Sequence, residues 1–200
     1  MSTREQLVEA TRLVLRRDGL AKLSTRLVAR EAGVSEGALY KHFATKEELV
    51  MAAVESIIAP YTAVTHELPT KIGLGRVEDA LAEVVLRNFE FLYEVTPIWG
   101  SLHADPQLHQ RYLELMRERD EGPHHSMAIL ARYLAAEQRL GRVHPGPAPE
   151  AIADLLMSIA HFHASLDRGI GRDPEGAHAR VMATLDAALT GLLPREGAPR

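Results

Sequence analysis

The sequence predicts an all-α protein, with an N-terminal helix-turn-helix domain of three helices and a C-terminal helical bundle body, about nine helices in total. Apolar residues recur every three or four positions along most of the 200 residues, which is the spacing of a buried helix face. Neither strand-like alternation nor an internal repeat is present. Residues 23–43 contain two short helical patterns around a tight turn, the pattern of a helix-turn-helix.

Composition and charge narrow the classes of function. Apolar residues make up 46% of the chain, enough for a core, and the lack of cysteine excludes disulfides and thiolate metal sites. Residues 1–50 carry a net charge of +2 and residues 51–200 carry −6, as expected for a DNA-binding end joined to an acidic body. No uninterrupted apolar run reaches the roughly 18 residues of a membrane span. We therefore expect a soluble, cytoplasmic protein without membrane contact.

Local signals predict the first three helices. Helix 1 begins near Thr3 and ends at Gly19. Thr25 is the predicted N-cap of helix 2, which ends at Gly33, where a residue can adopt positive φ. Ser35 caps helix 3, and the small residues that follow it allow its N-terminal part to approach a DNA major groove.

Prolines and glycines divide the rest of the chain. Helix 4 starts near Thr45 and is kinked or ended by Pro60, unless it resumes as far as Glu67. Further helices are predicted at about 74–95, 97–104, 106–121, 123–139, 150–168 and 176–193. The inner positions of the predicted helix at about 150–168 include Leu155 and Phe162. The outer faces of the last two helices carry small or apolar residues such as Ala160, Ala164, Ala183 and Ala187, which suits packing against a second copy.

The helix-turn-helix stretch also resembles a known family in its residues. The matching positions are Thr25 to Ala29, Ala32 to Ser35, Leu39 to Phe43 and Lys46 to Leu49, within residues 3–58. In these positions the chain is similar to the N-terminal domain of the TetR family of bacterial transcriptional regulators; the body matches by helical pattern and length alone. Glu36 departs from the polar or basic residue that is common there, and a carboxylate favours the amino group of cytosine.

The resemblance implies a DNA interface. Thr25, Tyr40, His42 and Lys46 match positions that commonly touch phosphates, whereas Arg26, Glu36, Gly37, Ala38 and Lys41 match positions that face base edges, with Ser35 at the cap between them. One such module is too small for tight, selective binding, so two copies on a palindromic operator are implied. We expect residues 1–46 to bind double-stranded DNA and residues 47–200 to bind an effector and form a homodimer through helices 150–168 and 176–193.

A small-molecule effector is the usual switch in the resembled family. Its pocket would combine an apolar lining with a few polar groups, and the candidates are Asn88, Phe89, Tyr93, Trp99, His103, Tyr112, Tyr133, Phe162 and His163. Ordinary core packing is an equal alternative for each of them. The implied function is a repressor that leaves its operator when the effector binds.

Two other classes of function stay open at this stage. The first is a DNA-binding regulator with no ligand, and the second is an enzyme with an appended DNA-binding domain. No triad-like context, paired catalytic carboxylates or glycine-rich phosphate loop favours catalysis, and no cofactor is predicted. His161 and His163 are two residues apart and cannot chelate together on a helix, so no metal site is predicted from them or from the adjacent His124 and His125.

Overall fold

A computed structural model describes residues 1–104, 106, 109–110, 112–114, 123–172, 176–190 and 192, without the side chains of residues 97, 101–104 and 123. All regular structure in these ranges is helical, which confirms the predicted all-α class. The α-helices are α1 Thr3–Asp18, α2 Thr25–Glu31, α3 Glu36–Tyr40, α4 Lys46–Glu67, α5 Val77–Ala104, α6 Pro123–Arg139, α7 Pro149–Gly169 and α8 Ala177–Leu189. Short 3₁₀ helices occupy Leu20–Lys22 and Leu68–Lys71.

The chain folds into two compact units. The first contains residues 1–59 and 94–119, and the second contains residues 60–93 and 120–200, as far as each range is described. The unit boundaries fall inside α4 and α5, so each of these helices contributes residues to both units. These units are defined by packing. The predicted boundary near residue 46, between DNA-binding and effector-binding parts, concerns function and stays a prediction.

Helix α1 is the support of the first unit. The Ser2 side chain accepts a hydrogen bond from the Glu5 backbone N–H, and the Glu5 carboxylate accepts one from the Ser2 backbone N–H, so both donors at the helix start are satisfied. One face of α1 is buried and packs against α2 and the first 3₁₀ helix. That face consists of Leu7, Ala10, Thr11, Val14 and Leu15, as the apolar spacing predicts.

Helix α4 continues through its proline. The interpretation in which the helix resumes after Pro60 is confirmed, because α4 extends to Glu67. Proline lacks one N–H donor, and the buried Ile57 and Tyr61 lie on either side of it. The Lys46–Lys71 segment also has the length and mean hydropathy, 1.3, of a membrane span, although half of the scored window is buried inside the protein, as in a core helix of a soluble protein.

Helix α5 is longer than predicted. We expected a break between about residues 95 and 97, but a single helix extends from Val77 to Ala104. The residues on either side of the expected break, Val95 and Ile98, are both buried in the first unit. Their burial stabilises the helix on both sides of position 97, which outweighs the one hydrogen bond that a proline removes.

The second unit is built around α7, which packs against α6 on one side and α8 on the other. A buried carboxylate joins this bundle to its loops. Glu137 of α6 is fully buried, and it accepts a hydrogen bond from the Gly73 backbone N–H at 2.9 Å and lies 3.2 Å from Nε of Arg142. Nη2 of Arg142 donates in turn to the backbone carbonyl of Gly75 at 2.7 Å. Glu137 and Arg142 thereby connect the end of α6 to the segment of residues 73–75, which is distant in sequence.

The buried face of α7 differs from the predicted one. Leu156 and Ile159 are buried as expected, but Leu155 is exposed and Phe162 is 59% exposed. At 100° per residue, Phe162 lies about 120° around the helix from Leu156. Ala160 and Ala164, which we assigned to an outer face, are fully buried in the second unit. Small residues therefore allow close packing within this chain, and large apolar residues occupy the outer face.

Candidate nucleic-acid interface

The helix-turn-helix is shaped by three local devices. Ser24, not Thr25 as predicted, caps α2, because its side chain accepts the Leu27 N–H and Thr25 is already the first helical residue. Gly33 adopts φ of +70° in the turn, a value that favours glycine. The predicted cap at Ser35 is confirmed, since its hydroxyl accepts the Ala38 N–H at 3.1 Å.

Helix α3 presents a polar surface to solvent. Leu39 and Phe43 are buried and fix the helix to α2. Gly37 is exposed, and a Cβ placed there would meet nothing closer than the Ser35 hydroxyl at 4.0 Å. The fold of this unit therefore does not require glycine at position 37. Its absence of a side chain leaves room for an external surface to approach the helix.

Among the described residues, the basic residues around α3 have no acidic partners, whereas two arginines of α1 are ion-paired. On α1, Arg12 makes a bidentate ion pair with Glu94 at 2.8 Å, and Arg17 pairs with Glu31 at 3.0 Å. Arg26 and Lys41 are exposed and Lys46 is half-buried, and within the described part of the chain no carboxylate lies within 4.0 Å of them. Cations without acidic partners are available for phosphates and base edges.

Three predicted DNA contacts form one hydrogen-bonded cluster. The Thr25 hydroxyl donates to a Glu36 carboxylate oxygen at 2.9 Å, and the Tyr40 hydroxyl lies 3.3 Å from the same Thr25 oxygen. This cluster, which we call the Glu36 cluster, connects the first residue of α2 to both ends of α3. The remaining predicted residues Ser35, Ala38 and His42 also lie on or next to α3, and Ala38 is the only half-buried one of these three.

The predicted effector-pocket residues fall into separate groups. Trp99 and Tyr112 belong to the first unit, where their rings meet edge to face at 4.9 Å. His103 lies in α5, and its side chain is outside the described residues. The second unit contains the other six, in separate groups: the rings of Phe89 and Tyr93 lie 5.6 Å apart and those of Phe162 and His163 lie 5.3 Å apart. Asn88 adjoins Met157, and Tyr133 lies in α6.

One group in the second unit has the mixture of polar and apolar atoms that a ligand site needs. Asn88 Nδ2 lies 3.2 Å and the Tyr61 hydroxyl 3.5 Å from the Met157 sulfur, so two buried donors share one thioether. Burial raises the pKa of Tyr61, an effect that the Ser126 and Thr65 hydroxyls oppose. Of this group the sequence predicted Asn88 alone, because Tyr61 and Met157 lie on two other helices and no sequence spacing relates them to it.

The histidines have unlike surroundings. His163 is buried, with Nε2 2.8 Å from the Thr184 hydroxyl, and burial lowers its pKa despite the opposing charge of Asp167. His161, His124 and His125 are exposed. Among the residues that the structure describes, no three histidines or carboxylates are grouped to hold a metal ion.

A capped two-helix unit with a tight glycine turn, an open helix surface and unpaired cations defines a helix-turn-helix DNA-binding protein. The profile of the family "Bacterial regulatory proteins, tetR family" matches residues 7–53. HdnoR of Paenarthrobacter nicotinovorans, a nicotine-responsive transcriptional repressor, is 40% identical over 140 residues, 70% of this chain and 66% of that protein. The transcriptional regulator PksA of Bacillus subtilis is 34% identical over 103 residues, half of each chain. The present chain thus spans between half and two thirds of these relatives.

Solved structures agree over almost the whole chain. A Mesorhizobium loti protein assigned to the TetR-family regulators has a TM-score of 0.70 at 18% identity, covering 96% of this chain and 97% of that one. The ketosteroid transcriptional regulator KstR2 of Mycobacterium tuberculosis has a TM-score of 0.65 at 18% identity, covering 97% and 96%. The chain belongs to the TetR family. TetR-family proteins are DNA-binding transcriptional regulators and not enzymes, and this chain resembles them in sequence and fold.

Proposed function

We propose that this regulator is a homodimeric repressor that binds a palindromic operator in the bacterial cytoplasm and leaves it when a small effector binds. The observation that carries the proposal is the surface around α3, where Arg26 of α2, Lys41 after α3 and Lys46 of α4 lack acidic partners among the described residues. Two copies are needed because a single module of this size contacts only one half-site.

The contacts on DNA divide into two kinds. We assign Thr25, Tyr40, His42 and Lys46 to phosphates, which set register and salt dependence, and Arg26, Glu36, Gly37, Ala38 and Lys41 to base edges, which set sequence preference. The Ser35 cap supports this arrangement by holding the first turn of α3. The hydroxyls of the half-buried Thr25 and the exposed Tyr40 lie 3.3 Å apart, close enough to contact the same phosphate.

The proposed dimer forms through α7 and α8. Phe162 and Leu155 are exposed large apolar residues of α7, and the exposed Ala183 and Ala187 of α8 have side chains too small to prevent close approach of a second copy. An exposed phenylalanine of this kind is common at the centre of interfaces. These exposed residues make α7 and α8 the proposed contact surface for a second copy.

The dimer is tested by Phe162→Asp, because a carboxylate buried between two subunits is strongly unfavourable. We expect the wild type to sediment as a dimer and the variant as a folded monomer. Leu74→Asp is the matched control, since Leu74 is 64% exposed in the segment before α5. Loss of the dimer in both variants, or in neither, would contradict this interface.

The proposed effector site is the group formed by Tyr61, Asn88 and Met157. A thioether is a weak acceptor, so a ligand carbonyl or ring nitrogen would give the two buried donors a better partner. Methionine side chains adapt readily to new neighbours. The relative HdnoR is named as nicotine-responsive, and we therefore take nicotine as the first probe for this site.

The ligand-switched function is tested with a promoter that carries the operator selected by the protein. We expect the regulator to lower transcription from this promoter, and an effector that stabilises the folded protein against heat to restore it. Increased transcription on adding the protein would contradict repression. If no compound in a nicotine-led library of small apolar molecules raises the melting temperature, the regulator without a ligand becomes the better account.

A further inference from the structure

The Glu36 cluster directs the protons of two predicted phosphate donors to other groups of the protein. Thr25 has a single hydroxyl proton, and it points to Glu36 at 2.9 Å. The Tyr40 hydroxyl, 3.3 Å away, is then left to donate to the Thr25 oxygen. Both hydroxyls are thus directed along a chain that ends at one carboxylate.

DNA binding cannot leave this chain intact. For Thr25 and Tyr40 to donate to phosphate oxygens, each must turn its proton away from the cluster. Glu36 then loses its donor at a surface from which water is being removed, and it stands near phosphates of the same charge sign. A desolvated acceptor without a donor is costly, so contact with any DNA carries a penalty that originates at Glu36.

Base pairs differ in whether they remove this penalty. In the major groove, guanine presents only acceptors and thymine presents an acceptor and a methyl group, whereas cytosine and adenine each present an amino donor. The amino group of adenine stands beside its N7 acceptor, which repels a carboxylate, so cytosine is the better partner for Glu36. Glu36 is the first residue of α3 and is exposed next to the open Gly37 position. A cytosine opposite this position gives the carboxylate a new donor while the two hydroxyls turn to the backbone.

We propose that Glu36 determines specificity by withholding the Thr25 and Tyr40 hydroxyl protons from DNA phosphates. It retains the Thr25 and Tyr40 hydroxyls on non-cognate DNA and releases them where a cytosine amino group donates to its carboxylate in place of Thr25. Selectivity then comes from weakened binding to wrong sequences as well as from stronger binding to the right one. This inference rests on the proposed DNA-binding function of α3.

The test compares full-length wild type with Glu36→Gln, which retains the shape of the side chain and removes its charge. Dissociation constants are measured at one near-physiological salt concentration for the operator duplex and for a shuffled duplex of equal composition. We expect Glu36→Gln to bind the shuffled duplex about tenfold more tightly and the operator no more tightly than wild type. The ratio of the two affinities should fall about tenfold, a change within the range of one base contact.

Glu31→Gln is the matched control for charge. Glu31 ends α2 and pairs with Arg17, outside the Glu36 cluster. Its substitution removes the same unit of charge, so it should strengthen binding to both duplexes alike and leave their ratio unchanged. If Glu31→Gln and Glu36→Gln have equal effects, net charge explains the result and the proposal is wrong.

A second variant tests the cluster itself. Thr25→Val removes the hydroxyl that links Tyr40 to Glu36, so Glu36 no longer holds either proton away from DNA. Adding Glu36→Gln in this background should change the shuffled-duplex affinity by no more than Glu31→Gln does, which is the coupling that a double-mutant cycle detects. An undiminished effect of Glu36→Gln in this background would overturn the withholding mechanism.

The outcomes separate this proposal from the proposed function. A wild type that prefers its operator, together with a Glu36→Gln variant of unchanged preference, overturns only the inference about Glu36. A wild type that binds all duplexes equally overturns both. Enrichment of sites without cytosine opposite α3 would also contradict the inference, while leaving the operator-binding function in place.

Discussion

Helices α3 and α7 are held in place by different means. Helix α3 has five residues, and a serine cap, a positive-φ glycine and one buried leucine define it. Helix α7 has 21 residues, and its position depends on packing between α6 and α8. The comparison shows that local signals specify the DNA-binding surface, whereas the body is specified by contacts between segments that are distant in sequence.

The largest expected effect tests the body side of this comparison, at the buried carboxylate that joins α6 to the loop at Gly73. Arg142→Met leaves the Glu137 carboxylate fully buried without its cation, which should lower the free energy of unfolding by about 3 kcal/mol. Urea denaturation followed by circular dichroism gives the value. Arg87→Met removes the exposed pair with Glu90 at 2.9 Å and should cost at most about 1 kcal/mol. Similar losses in the two variants would contradict the role of Glu137.

A second prediction separates the two kinds of DNA contact on α3. Lys41→Ala should change the preferred sequence, because a base contact is worth about 1 to 3 kcal/mol. Tyr40→Phe, which removes only a hydroxyl, should weaken binding to every duplex by a similar factor. Affinities for a set of single-base operator variants check both. Equal effects of the two substitutions on all duplexes would reject the assigned roles.

A third prediction concerns the local part of the comparison. Ser35→Ala removes the acceptor for the Ala38 N–H and should lower the free energy of unfolding of the first unit by about 1 kcal/mol. Ser158→Ala is the control, because Ser158 lies within α7 and its hydroxyl donates to the Asp154 carbonyl. Alanine is tolerated in a helix interior, so the control should remain within about 0.5 kcal/mol of wild type. Thermal unfolding of both variants measures the difference.

The smallest predicted effect is a pH dependence in the body. Burial lowers the pKa of His163, with Arg180 and Arg172 acting in the same direction and Asp167 against it. The unfolded chain therefore binds a proton more readily than the folded protein, and stability is lost as the pH falls through the unfolded value of about 6.5. His163→Gln should show a smaller loss between pH 8 and pH 5.5. An equal loss in both proteins would exclude His163 as a contributor.

Sequence reasoning succeeded where a few neighbouring residues decide the outcome. The caps, the Gly33 turn and the exposed residues of α3 follow from local chemistry, and only the cap of α2 was misplaced, by one position, because serine and threonine stand side by side. The hydrogen bond between Thr25 and Glu36 could not be predicted, because it joins residues on two helices whose relative orientation is a tertiary property.

The body was less predictable because its buried faces depend on how its helices pack together. An apolar stripe on α7 did not reveal which edge faces α6 and α8, so the predicted burial of Phe162 was wrong. Tyr61, Asn88 and Met157 come from three helices, and no sequence spacing relates them. Helical periodicity identifies a buried face only after the partners of the helix are known.

The most direct test of the account is selection of duplexes from a random DNA pool by the full-length protein at near-physiological salt, where purely electrostatic binding is weak. The account predicts enrichment of a palindrome whose half-sites lie about one helical turn, or a multiple of it, apart. Its half-sites should contain cytosine opposite α3. A folded, dimeric and effector-free protein that enriches no sequence would contradict the assignment of the α3 surface to DNA.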